Sequence, residues 1–150
     1  MSQETFILAP ADLRILKRLR GNGRMSWVEL GRRVNLSASA CQRRVEAMVA
    51  AGVIARFTVD LDATAMGLGV HAFVQIKVER QMVERAKALR ATIASYPEVE
   101  GAWKLSGVVD YLVEARVRGI AELSAFIDEK LLALDGVVDA TSSIVLEEVA

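Results

Sequence analysis

The sequence predicts an α+β protein of two small domains, a winged helix-turn-helix domain at 1–60 and a ferredoxin-like βαββαβ domain at 70–150, joined by a linker at 61–69. Three observations carry this prediction. Two short helices with capping residues lie on either side of a tight turn between residues 26 and 51. The second half of the chain shows strand and helix periodicities in the order β-α-β-β-α-β. The charge is also divided between the two halves.

Residues 1–60 hold ten basic and five acidic side chains, whereas residues 61–150 hold nine and fourteen. A basic half followed by an acidic half is typical of a nucleic-acid-binding module fused to a module with another task. The chain has no run of about 18 apolar residues and no secretory leader pattern, so we expect a cytoplasmic protein without a membrane span. One cysteine and one histidine exclude a disulfide framework and the usual Cys/His zinc site, and no cofactor is expected.

The first helix is predicted to begin at Pro10, which suits the first helical position, with Asp12 stabilising the helix N-terminus. The Gly-Asn-Gly run at 21–23 ends it. Its apolar side is formed by Leu13, Ile15, Leu16 and Leu19.

The next two helices form the helix-turn-helix. Ser26 and Glu29 predict a capping box, Asn35 tolerates the left-handed conformation that ends a helix, and Ser37 is the next N-cap. Gly52 stands where the second of these helices should end. The predicted buried stripe consists of Trp27, Leu30, Val34, Ala38, Cys41, Val45 and Met48.

The opposite face of the second helix of this pair is small and polar first, then carries amide and guanidinium groups. A helix that enters the DNA major groove needs such a face, although an ordinary solvated face is the alternative interpretation. Cys41 lies on the buried stripe and is interpreted as a small core residue. The candidate DNA-binding residues are Ser37, Ser39, Gln42, Arg43 and Arg44, together with Arg56.

The run Val53–Val59 is strand-like and predicts the wing. Arg56 within it would contact the DNA backbone beside an adjacent groove, or would be a plain exposed strand arginine. After the linker, strands are expected at 71–78, 99–105, 111–117 and 137–147. Helices are expected along Met82, Ala86, Leu89 and Ile93, and along Ile120, Leu123, Ile127, Leu131 and Leu134.

One face of this sheet is covered by the two helices, and the other face is too apolar to be left in water. A second copy of the chain is the expected cover, and a two-fold homodimer also suits paired DNA half-sites. The residues assigned to this open face are His71, Phe73, Gln75, Lys77, Leu112 and Ile144.

The run from Val28 to Ile54 resembles the helix-turn-helix of the Lrp/AsnC (feast/famine) transcription regulators. The matching residues are Leu30, Arg33, Val34, Ser37, Cys41, Arg44, Val45, Gly52, Val53 and Ile54. A second stretch, from Leu105 to Val117, resembles the effector-domain loop and strand of that family. The resemblance implies a DNA-binding regulator of transcription whose dimers assemble further, to tetramers or octamers.

In that family the loop helps to bind a small effector, usually an amino acid, between subunits. Here the candidate effector-binding residues are Ser106, Gly107, Val109, Asp110 and Tyr111. Gly107 would allow tight backbone geometry and Asp110 would accept from an α-ammonium group, although a plain β-turn is the alternative. The family pattern is usually Gly-Asp-x-Asp, and Val108 stands at the first acid. This departure leaves open a more apolar ligand, a different metabolite or none.

Two other functions are considered. Enzymes that decarboxylate tetrapyrroles share this fold, but the single histidine, His71, and the lack of a Ser-His-Asp set, a Cys-His pair or a P-loop argue against catalysis. A ligand-binding subunit that has lost DNA binding is the other alternative. The intact caps and the arginines of residues 26–51 argue against it.

Overall fold

The computed structural model describes residues 6–79 and 86–149. The chain divides into two compact units, Met1–Asp60 and Leu61–Ala150, and each unit has a hydrophobic core of its own. Among the described residues, no helix is both long and apolar enough to span a bilayer.

The N-terminal unit consists of three helices: α1 (Pro10–Gly21), α2 (Trp27–Val34) and α3 (Ala38–Ala50). Its fully buried apolar side chains come from all three, and they are Ile15, Leu30, Val34, Cys41, Val45 and Met48. The predicted stripes on α2 and α3 are therefore confirmed at their centres. Leu13 and Trp27 were also expected inside, but they are 54% and 37% exposed, because each lies at the margin of its helix's buried face.

The strand predicted at Val53–Val59 is not formed. Residues 51–54 make turns, and residues 55–60 run without helix or strand and without backbone hydrogen bonds to the described part of the chain. A strand requires a neighbouring backbone to complete its ladder, and the described residues offer none beside this segment. Strand-like composition alone therefore does not make these residues a strand.

The C-terminal unit follows the predicted order. It contains β1 (Val70–Val78), α4 (Ala86–Ser95), β2 (Val99–Lys104), β3 (Tyr111–Val117), α5 (Ile120–Ala125), a π-helical segment (Phe126–Leu131) and β4 (Val137–Ile144). The four strands form one antiparallel sheet in the order β2-β3-β1-β4, which is the ferredoxin-like arrangement. Of the residues predicted for its first helix, Met82 lies outside the described residues.

The helix-covered face of the sheet is lined by alternate residues of β1 and β3, and these are Ala72, Val74, Ile76, Tyr111, Val113, Ala115 and Val117. Ile144 was assigned to the opposite, open face, and this prediction is wrong. It pairs directly with Ala72, and cross-strand partners point to the same face. A register shift at Lys77/Val78 changes the alternation of β4 relative to β1.

The second helix of this unit does not remain an α-helix. Ile120–Ala125 is α-helical, and Phe126–Leu131 widens into a π-helix. Because a π-turn takes an additional residue, it displaces the positions that face the sheet. Phe126, which the predicted stripe omitted, lies three residues after the buried Leu123 and is almost fully buried itself, while Ile120 of that stripe is 60% exposed.

Candidate nucleic-acid interface and effector loop

The turn between α2 and α3 is set by local contacts that the sequence predicted. The Ser26 hydroxyl accepts from the Glu29 amide at 3.2 Å, and the Ser37 hydroxyl accepts from the Ala40 amide at 3.1 Å. Asn35 adopts the left-handed conformation, with φ 57° and ψ 51°. The capping box at Ser26 is only half made, because the Glu29 carboxylate binds Arg33 at 2.7 Å instead of the Ser26 amide.

The exposed face of α3 carries the side chains predicted to meet DNA. Ser39, Gln42 and Arg43 are all solvent-exposed, and the Ser37 and Ser39 hydroxyls lie 3.2 Å apart. The Gln42 amide nitrogen donates to the Glu46 carboxylate at 2.9 Å. Arg43 forms no hydrogen bond or ion pair with any described residue. Its guanidinium is therefore available for an outside partner.

Arg44 differs from its neighbours on α3. Its Nη1 donates to Oδ1 of Asp12 at 2.9 Å, and the Asp12 side chain is only 4% exposed. The other carboxylate oxygen of Asp12 accepts from the Ala9 amide at 2.9 Å. Asp12 thus caps α1, as predicted, and also holds α3 through Arg44. This contact gives Arg44 a structural partner inside the domain, and its DNA-binding role stays a prediction.

Arg56 lies in the extended segment that follows α3, where the strand is missing. It is exposed and has no hydrogen bond or ion pair within the described ranges. The structure therefore places Ser37, Ser39, Gln42 and Arg43 together on α3, and leaves Arg56 on a separate segment of the same unit.

Cys41 is fully buried in the core below α3. Burial raises the pKa of its thiol, and the nearby Arg44 lowers it by less. A buried thiol with a raised pKa is a poor nucleophile, which agrees with the interpretation of Cys41 as a core residue.

We expect Cys41 to react with a thiol reagent such as Ellman's reagent at pH 8 roughly tenfold or more slowly in the folded protein than in urea. Because the folded protein disfavours the thiolate, the free energy of unfolding should fall as the pH rises through the ordinary thiol pKa towards the raised one. Stopped-flow absorbance measures the reaction. Equal rates with and without urea would contradict the buried placement.

The effector loop occupies residues 105–110, between β2 and β3. Ser106, Gly107 and Val108 are exposed, and Val108 is 85% exposed. Gly107 is absent from the positive-φ glycines of the described chain, and a Cβ there would meet nothing within 4 Å, so its predicted part in the effector site stays a prediction. Its small size therefore serves no packing requirement in this structure.

Asp110 ties this loop to the end of β1. Its amide donates to the Ile76 carbonyl at 2.9 Å, and its Oδ2 accepts from the Val78 amide at 2.9 Å. Its own carbonyl accepts from the Leu105 amide at 2.8 Å. The predicted acceptor for an α-ammonium group thus already has a backbone donor on one oxygen, and it stabilises the loop.

A cavity of about 190 Å³ lies between α4 and the outer strand β2, next to this loop. Tyr111, the last predicted loop residue, is 3% exposed and lines it. The other lining residues are Arg90, Ile93, Ala94, Ala102, Trp103 and Lys104. Sequence reasoning missed these six, because the cavity joins a helix to a strand edge and no single periodicity indicates it.

The open sheet face carries an ionic network. His71 Nε2 lies 2.9 Å from the Glu114 carboxylate, and Arg116 contacts Glu100 at 2.9 Å and Glu148 at 3.3 Å. Donor atoms of His71, Glu100 and Glu114 lie within 4.8 Å of one another, a spacing that a metal ion could bridge. The guanidinium of Arg116 already supplies a positive charge there, so we describe the group as an ion-pair network.

Both parts of the chain match known protein families. Residues 8–55 match a winged helix-turn-helix DNA-binding family, and residues 71–150 match the Lrp/AsnC ligand binding domain. The chain belongs to the Lrp/AsnC family. It is therefore a regulator of transcription with a DNA-binding helix-turn-helix and a ligand-binding domain.

Relatives of this Lrp/AsnC regulator match over nearly its full length. It is 35% identical to the leucine-responsive regulatory protein of Rhizobium meliloti, over 92% of this chain and 88% of the relative. It is 30% identical to the proline dehydrogenase transcriptional activator of Rhizobium radiobacter, over 99% and 95%. A solved Neisseria meningitidis transcriptional regulator, in complex with L-methionine, superposes with a TM-score of 0.91 at 34% identity, covering 96% of this chain and 93% of the other. These names favour a regulator over a tetrapyrrole decarboxylase.

Proposed function

We propose that this Lrp/AsnC regulator reads operator DNA through Gln42 and Arg43 of α3, and that it performs no catalysis. The observation that carries the proposal is the guanidinium of Arg43, which pairs with no described residue and is exposed on a helix whose opposite face packs in the core. A guanidinium is the usual partner of guanine in the major groove, and a glutamine amide can read adenine. Ser37, Ser39 and Arg56 are proposed to contact the phosphate backbone.

We also propose that the chain acts as a homodimer, formed through the open face of the C-terminal sheet. Phe73 and Leu112 lie on that face, and Trp103 at its edge is 47% exposed. A second copy would cover these side chains and place two α3 helices on one operator. Sedimentation velocity at micromolar concentration tests this proposal, since a monomer at every concentration would contradict it. Assembly to tetramers or octamers would appear as additional species.

The C-terminal domain is proposed to bind an amino acid or a related small metabolite. The Neisseria meningitidis regulator was solved with L-methionine, and this chain has the same fold over that domain. We propose that Tyr111 contacts the ligand and that Asp110 stabilises the loop next to Tyr111. Ser106, Gly107 and Val109 are proposed to meet the ligand or a neighbouring subunit. Ligand binding would shift the equilibrium between assemblies that space the DNA-binding domains differently.

The direct test is fluorescence anisotropy of the purified protein on its own upstream DNA. A scrambled duplex is the competitor, several salt concentrations are used, and a pool of amino acids is added or omitted. Tight, selective and salt-sensitive binding supports the proposal, because phosphate contacts weaken as salt rises. Equal affinity for the two duplexes at every salt concentration would contradict it.

In the same assay, Arg43→Ala and Gln42→Ala should each weaken specific binding by about 1–3 kcal/mol, roughly 5- to 150-fold in Kd. Arg118→Ala is the matched control, since Arg118 is exposed in the other unit and pairs with Glu122. Binding to the scrambled duplex should change much less in the Gln42 variant. Unchanged specific affinity in both α3 variants would contradict the proposal that Gln42 and Arg43 contact the bases.

A further inference from the structure

The open face of the C-terminal sheet carries a histidine that lies between two carboxylates. The Nε2 atom of His71 lies 2.9 Å from a carboxylate oxygen of Glu114 on β3, and its Nδ1 lies 3.6 Å from one of Glu148. Glu148 belongs to the tail that follows β4, and the Val145 amide at the start of this tail donates to the His71 carbonyl at 2.9 Å. Nδ1 is buried and makes no hydrogen bond with a described residue. Each ring nitrogen of His71 therefore faces an acceptor.

A neutral imidazole has one N–H donor and one lone pair, so it cannot donate to both carboxylates. With the proton on Nε2, the lone pair of Nδ1 points towards Glu148. With the proton on Nδ1, the lone pair of Nε2 meets a Glu114 oxygen at 2.9 Å. Only the imidazolium form, with a proton on each nitrogen, presents a donor to both acids.

The charges around His71 are unbalanced in the same direction. Arg116 donates from Nε to Glu100 at 2.9 Å and from Nη2 to Glu148 at 3.3 Å. These side chains approach the ring from β2, β3 and the tail. Among the described residues, Glu100, Glu114 and Glu148 bring three negative charges, whereas Arg116 brings one positive charge. The excess is two negative charges beside a neutral His71 and one beside a protonated His71.

In an isolated chain, water screens this excess charge, since Glu148 is 67% exposed. A second copy on the open face would remove much of that water, and unbalanced charge is costly away from water. A proton on His71 would halve the excess and give Glu148 a donor. Because a two-fold interface repeats each contact, the same gain would arise in both chains.

We propose that His71 takes up a proton when a second copy covers the open face, so that the homodimer becomes tighter as the pH falls from 8 to 6. The inference rests on the proposed homodimer and adds regulation by pH to it. The dimer holds more protons than two separate chains, so a lower pH shifts the equilibrium towards the dimer. Histidine is the side chain that ordinarily changes charge in this pH range, and the chain contains only one.

Sedimentation velocity of the full chain, carrying a fluorescent label on its N-terminal amine, tests the proposal from nanomolar to micromolar concentration at pH 6, 7 and 8. We expect the dimer Kd to be about tenfold lower at pH 6 than at pH 8, which corresponds to one proton or less per chain. In His71→Gln the ratio should fall to about twofold or less, because glutamine does not titrate.

Two further variants separate the local charge from the total charge. Glu148→Gln removes one excess negative charge, so it should tighten the dimer at pH 8 and reduce the ratio between the two pH values. Glu147→Gln makes the same change one residue earlier, where the side chain is exposed and has no ion pair within the described ranges. This matched control should keep the wild-type ratio.

The single histidine also allows a direct measurement of proton uptake. In protein labelled at histidine, the ring resonance in the NMR spectrum reports His71 alone. We expect this resonance to titrate at a higher pH in a concentrated sample, where the dimer predominates, than in a dilute one. A purely structural role of His71 would not produce this dependence on concentration.

A dimer with the same Kd at pH 6 and pH 8, or one that does not dissociate at either, would overturn this inference and leave the proposed homodimer intact. Equal pH ratios in the wild type and His71→Gln would also overturn it, because another group would then be responsible. A monomer at every pH and concentration would instead refute the proposed homodimer, and the inference with it.

Discussion

Replacing Arg44 by methionine is expected to lower the free energy of unfolding of the N-terminal unit by about 3 kcal/mol. The substitution keeps much of the side chain but leaves the Asp12 carboxylate, 4% exposed, without its cation. A buried charge without a partner is far costlier than the loss of an exposed ion pair. Urea unfolding followed by Trp27 fluorescence, in a Trp103→Phe background, measures the effect.

The double variant Asp12→Asn with Arg44→Met is the control. Asparagine is neutral and can still accept from the Ala9 amide, so the double variant should recover a large part of the lost stability. At temperatures where it is folded, the Arg44→Met protein should retain most of its specific DNA affinity. If the Arg44→Met protein were folded and fully stable but did not bind DNA, Arg44 would be shown to contact DNA directly.

Replacing Gly31 by alanine should also cost about 3 kcal/mol, through overpacking at the α2–α3 turn. A Cβ on Gly31 would lie 2.5 Å from the Leu36 carbonyl oxygen and 3.3 Å from the Ala38 amide nitrogen. Both neighbours are backbone atoms of the turn that sets the angle of α3, so neither can move aside alone. We expect specific DNA binding to weaken along with stability, since the reading helix would be displaced.

Gly21→Ala is the matched control, because a Cβ at Gly21 would meet nothing within 4 Å. It should be neutral or should stabilise the unit by about 0.5 kcal/mol, as expected where alanine fits the backbone. Thermal unfolding monitored by circular dichroism compares the two variants. Equal melting temperatures for Gly31→Ala and Gly21→Ala would show that the turn can relax.

The features that the sequence predicted best are those determined within a few residues. The caps at Ser26 and Ser37, the left-handed Asn35 and the buried stripes of α2 and α3 follow from local geometry and helical period. The order of strands and helices in the C-terminal unit was also predicted from local patterns. Each of its periodic runs is long enough to indicate its own type.

The features that the sequence did not predict depend on partners distant along the chain. Arg44 meets Asp12 across 32 positions, and the helical pattern places Arg44 beside the buried stripe of α3 without indicating which residue it would contact. The face of Ile144 depends on the pairing of β4 with β1 and on its register shift. The cavity under α4 combines one helix with the sheet edge, so its cations looked like ordinary surface charges in the sequence.

The π-helical segment has a consequence for how this regulator tolerates changes in chain length. Because a π-turn holds one more residue than an α-turn, Phe126–Leu131 behaves as if a single residue had been inserted into a regular helix. Removing one exposed residue there, Asp128 or Glu129, would let the α-helix continue, and the four remaining steps from Phe126 to Leu131 would turn through about 400°. Phe126 and Leu131 would then still both face the sheet. This helix can therefore lose one residue from its π-helical segment without changing which side chains form the core.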